Sequence, residues 1–112
     1  MNTKDLVFLQ HILEQIDKIE NSTKNMTKEN FNMDINTQDA TIRRIEIIGE
    51  AVKNISEELK KKNPQIAWRK IAGTRDIVIH SYFNVDWNLV WKVVKEDIKE
   101  LRDKINSIIK VN

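Results

Sequence analysis

The 112-residue sequence contains no cysteine, one proline and two glycines. Without cysteine there is no disulfide and no thiolate zinc site, which suits a cytoplasmic protein. So few turn-formers leave little material for a turn-rich all-β fold. No run of about 18 apolar residues occurs, so no membrane span is expected, and no secretory signal segment is recognisable. No second histidine or carboxylate cluster has ligand spacing, which argues against metal chemistry and leaves no cofactor to expect. The net charge is only +2, so any contact with nucleic acid must come from a local patch.

What the chain does have is charge interleaved with apolar residues, the pattern of water-exposed helices. Its length fits one domain, residues 1–112. Residues 3–20 carry Leu6, Leu9, Ile12, Leu13, Ile16 and Ile19, a single apolar stripe on a helix. His11 neighbours that stripe as a boundary or surface residue. Residues 21–36 lose the period and read as a loop, with a helical turn around Glu29–Asn32 and with Phe31, Met33 and Ile35 packing it down.

A long helix is expected next, capped by Asn36, with Asp39 in its first turn, and running to about Lys61. Its seam is Thr41, Ile45, Ile48, Val52, Ile55 and Leu59. Gly49 in mid-helix costs about 1 kcal/mol relative to alanine, which implies close approach by another backbone or a ligand. Glu46 and Glu50, one turn apart beside it, read as solvated carboxylates. Lys60, Lys61 and Lys62 suit a helix C-terminus, and Pro64 cannot continue the ladder. Asp86 should cap a last helix carrying Val90, Val94, Ile98, Leu101, Ile105 and Ile108, with Trp87 and Trp91 as core or interface residues at its start. The expected fold is all-α, an up-and-down bundle of four to five helices.

Most of the chemistry lies in residues 68–83, WRKIAGTRDIVIHSYF. Arg75 is followed after four residues by His80 and then, after one more, by Tyr82, the only tyrosine. Arg75 offers a permanent fork of donors shaped for phosphate, and His80 titrates near neutral pH. Together they point to work on a phosphodiester. On one regular helix Arg75 and Tyr82 would lie about 20° apart, but His80 would sit roughly 140° round from Arg75. His80 would instead stack one turn below Asp76, which could orient its ring. Either the helix distorts near His80 or a second copy of the chain completes the site. The basic residues 60–62, 69, 70 and 75 could flank an RNA cleft, although such runs are commonly solvated surface.

The opening KDLVFLQHILEQIDKI, the segment TQDATIRRIEIIGEAVKNIS, the motif itself and DWNLVWKVVKEDIKEL together resemble the HEPN superfamily. Within it the chain is similar to HepT-like toxins of HepT/MntA, type VII toxin–antitoxin systems. The resemblance implies a homodimer with two motifs facing one another across a cleft. It also implies metal-independent RNA cleavage, in which the substrate's 2′-hydroxyl attacks the adjacent phosphate. His80 would then be the general base or acid, Arg75 the phosphate holder and Asp76 a supporting residue. Tyr82 would be where an MntA-like nucleotidyltransferase attaches AMP from ATP, silencing the toxin. The competing readings are a non-catalytic helical module that binds such a nucleotidyltransferase or a nucleotide, and a purely structural helical dimer.

Overall fold

The structure, a computed structural model, describes residues 1–81 and 84–111; of residues 77, 80 and 81 it describes the backbone alone. Helix α1 (Thr3–Thr23) opens at Asn2, whose side chain accepts from the Asp5 amide at 2.7 Å. It outruns the expected end, because the Thr23 hydroxyl closes its last turn on the Ile19 carbonyl at 2.8 Å. The stripe buries Leu9, Ile12, Ile16 and Ile19 completely, and His11 stays on the surface.

The helical turn expected around Glu29–Asn32 is present as a short helix, α2 (Lys28–Met33), started by a capping box between Thr27 and Asn30. Phe31 packs as expected, wholly buried, with its ring 6.0 Å from Trp87 and 5.2 Å from Trp91. Met33 and Ile35 do not; they are 86% and 69% exposed. They flank Asp34, which caps α3 (Ile35–Lys53) by accepting from the Thr37 amide at 3.0 Å. The cap is therefore Asp34 rather than Asn36.

The expected long helix also divides. Asn54 ends α3, and Ser56 starts α4 (Glu57–Lys62) by accepting from the Leu59 amide. Asp5, only 2% exposed, reaches across from α1 to accept from the Ser56 amide at 2.8 Å and its hydroxyl at 2.6 Å. A carboxylate at a helix N-terminus answers donors that helix geometry leaves unpaired, so the break is held from outside the segment. Lys60 and Lys62 pair with Glu57 and Glu58 of their own helix.

Two five-residue helices follow, α5 (Trp68–Ala72) and α6 (Thr74–Val78), hinged at Gly73. A two-stranded antiparallel pair, β1 (Ile79–Ser81) and β2 (Asn84–Val85), then leads to α7 (Trp87–Lys92), which Asp86 caps as expected. One π-helical turn, Val93–Asp97, joins α7 to α8 (Ile98–Val111). Val90, Val94 and Ile98 are spaced by four twice in succession. On an α-helix each such step drifts about 40° off the face, and the wider turn brings all three back into the core.

The described residues thus form an all-α bundle in which α1, α3 and the α7–α8 rod supply most of the core. Gly49 works as its position in the sequence implies: a β-carbon there would lie 3.1 Å from the Ala72 carbonyl oxygen. The backbone of α5 lies directly on α3, and α6 follows from it.

Candidate functional site

The site is built where α6 and the hairpin cross α3. Arg75 stands on the first turn of α6 with its side chain 52% exposed. Its Nε lies 3.3 Å from Glu46 Oε1 on α3, and its Nη1 lies 3.8 Å from Asp76 Oδ1. Glu46 also lies 3.9 Å from Arg43, one turn earlier on the same helix. The sequence reading of Glu46 as a solvated carboxylate is thereby corrected: its side chain is 30% exposed and bridges two arginines. Glu50 does face solvent, paired only with Lys53 among the described residues. An ion pair this accessible contributes at most about 1 kcal/mol to stability. Its effect is on direction, since Glu46 holds the Nε edge of a guanidinium that stays half exposed, with Nη1 toward Asp76.

The Asp76 side chain is itself 84% exposed and lies against Arg75. The helix stops at Val78, and Ile79 is extended at φ −111°, ψ 105°. The chain therefore leaves the helix before His80, and the expected stacking of Asp76 on His80 falls on a side chain outside the described residues. Ile77, Val78 and Ile79 are all β-branched, a signal for extended chain that the helical arithmetic passed over. Of the two alternatives open in the sequence, distortion before His80 is what the backbone shows. His80 lies within β1, its side chain outside the description, and Tyr82 lies outside the described residues altogether.

An open trough of about 260 Å³ adjoins Arg75. Half-buried Ile42, Ile79, Val85 and Trp87 contribute its apolar surface. Asp39, Arg43 and Glu46 on α3, with Arg75 facing them, give it a charged rim of mixed sign. The basic run 60–62 does not join this rim. Lys60 and Lys62 are paired on α4, and Lys70 borders a separate apolar crevice against α8. No described helix is long and apolar enough to cross a membrane.

The family described as ribonuclease HepT-like matches residues 12–108. A protein named probable ribonuclease HepT, from Thermococcus cleftensis, is 47% identical over 103 residues, covering 92% of this chain and 94% of its own. A protein from Methanocaldococcus jannaschii named gamma-glutamylcyclotransferase and putative RNase is 48% identical over 92% of this chain, which spans only 46% of that longer protein. A putative RNase from Caldanaerobacter subterraneus is 36% identical over 91% of each chain. No solved structure matches.

Proposed function

The chain belongs to the HepT-like ribonuclease family, and from that premise we propose that it is a metal-independent endoribonuclease whose Arg75 and His80 act on one phosphodiester. The 2′-oxygen of the substrate forms a bond to phosphorus as the bond from phosphorus to the 5′-oxygen breaks. The 2′-hydroxyl gives up its proton to a base, and the departing 5′-oxygen takes one from an acid. His80 fills one of these roles, as an imidazole with a pKa near neutrality can. Arg75 binds the phosphate and stabilises its developing charge, and Asp76 supports this pair.

The observation that carries this reading is the state of Arg75: half exposed, anchored through Nε by Glu46, with donors left for an anion. A homodimer, in which His80 of one copy serves the cleft shared with the other, agrees with a helix that ends before His80. The wider proposal is a type VII toxin, neutralised when an MntA-like nucleotidyltransferase adds AMP to Tyr82. Negative phosphate beside Arg75 would then occupy the guanidinium and the space that RNA needs.

The test is cleavage of RNA by the purified chain in excess EDTA, with light scattering of the same sample. We expect a dimer that leaves a cyclic phosphate or its hydrolysis product. Arg75→Ala and His80→Ala should stay folded and each lose at least about 100-fold in rate. Strict dependence on a divalent metal, or full activity in His80→Ala, would overturn the mechanism. Cleavage by a monomer would overturn the shared site.

A further inference from the structure

The trough beside Arg75 has a composition that phosphate chemistry alone does not require. Its surface offers aliphatic and indole faces from Ile42, Val85 and Trp87, and its rim offers both acceptors and donors. A flat ligand with apolar faces and a polar edge matches that combination, whereas a phosphate or a sugar matches only the rim. Its volume of about 260 Å³ falls just under the roughly 300–1,000 Å³ of pockets that take whole drug-sized ligands. It therefore suits a single ring system rather than a full nucleotide pair. The guanidinium proposed to hold the scissile phosphate belongs to its lining.

Resting on the ribonuclease reading above, we propose that this trough is a nucleobase subsite. It seats the base flanking the scissile phosphate and favours bases that carry an exocyclic amino group. The preference follows from Asp39 and Glu46, whose ionised oxygens only accept hydrogen bonds. Amino groups of adenine, guanine or cytosine donate to them, while uracil turns two carbonyls and one ring N–H toward the same edge. Arg43, 72% exposed and only loosely held at 3.9 Å from Glu46, is placed to stack over the seated base.

The experiment uses oligodeoxynucleotides with one ribonucleotide, which fixes the bond that can be cut. The flanking base is varied through adenine, guanine, cytosine, uracil and an abasic residue on either side. On one side, amino-bearing bases should be cut roughly 5- to 150-fold faster than the abasic substrate, the equivalent of ~1–3 kcal/mol per stacked base, with uracil well below them. Ile42→Phe, which fills the trough, should collapse that ratio. A second arm needs no cleavage: 2-aminopurine at the same place in an all-deoxy oligonucleotide should change its fluorescence on binding wild type but not Ile42→Phe. Equal rates for all flanking residues, or binding without a 2-aminopurine signal, would overturn the subsite while leaving the ribonuclease standing. A fluorescence change with no cleavage of any substrate would sink the ribonuclease reading and keep the subsite. If Ile42→Phe instead changes the mass seen by light scattering and no base dependence exists, a second protein copy fills the trough and the proposal is wrong.

Discussion

Gly49→Ala separates the packing account of this fold from a propensity account, because the two disagree in sign. At an unconstrained helical position the change stabilises by about 1 kcal/mol, through lost chain entropy in the unfolded state and better helix propensity. Here the new methyl would sit 3.1 Å from the Ala72 carbonyl oxygen and 3.8 Å from the Ile71 carbonyl oxygen. Both are backbone atoms of a packed helix and cannot rotate aside. Overpacking of this kind costs roughly 1–3 kcal/mol, so the net effect is a loss of about 0–2 kcal/mol. A loss of 1 kcal/mol would lower Tm by roughly 4 °C. The consequence for the site is larger, since α5 carries α6 across Gly73 and a displaced α6 moves Arg75 off Glu46. We expect cleavage to fall by roughly 10-fold or more at temperatures where the variant is fully folded, in line with the cost of misplacing a reacting group. Circular dichroism melts and initial cleavage rates on one preparation measure both. A Gly49→Ala protein that melts several degrees higher and cuts RNA normally would refute the close-packing argument.

Asp5→Ala should destabilise by about 1–3 kcal/mol, since it removes the charged acceptor of the half-buried Ser56 amide and hydroxyl. A urea-melt cycle with Ser56→Ala should show coupling of at least about 1 kcal/mol, and additive losses would contradict the bridge. On a substrate with an abasic flanking residue, Glu46→Ala should lower kcat by about 10-fold without raising KM, because the arginine loses its direction but not its charge. Glu46→Gln, which keeps an acceptor for Nε, should recover part of that loss; equal defects in both would count against a positioning role. Tyr82→Phe should keep much of the activity yet resist a cognate nucleotidyltransferase, and mass spectrometry after co-expression should find AMP on Tyr82 of wild type. Adenylylation elsewhere, or neutralisation of Tyr82→Phe as complete as that of wild type, would defeat the switch.

Periodicity carried most of the fold. The stripes of α1 and of the last helix are buried nearly as written, and Gly49 disclosed a contact with another backbone from its position alone. The break between α3 and α4 was hidden because Ile55 and Leu59 keep the stripe going through it. The local hint, Ser56 followed by Glu57 and Glu58, is a cap with acidic residues in the first turn. Its decisive partner, Asp5, lies 51 residues away, where no local pattern reaches. Met33 and Ile35 misled because apolar character was read as burial, while the Asp34 cap between them left both exposed.

The site was legible as a set of residue types but not as a geometry, and the reason lies in three consecutive β-branched residues. Had α6 continued, His80 would have come to rest about 140° round the helix from Arg75, on the side away from any phosphate the arginine held. Extended residues advance about 3.3 Å each instead of 1.5 Å, so Ile79 and His80 carry the chain roughly 7 Å past the end of α6 rather than 3 Å. The backbone at His80 is therefore projected beyond the turn that bears Arg75 instead of being wound behind it. Meanwhile Glu46 fixes the arginine from the α3 side, so the two groups are held by different elements and need not share one helix face. The proposed cleft shared between two copies asks for no common face.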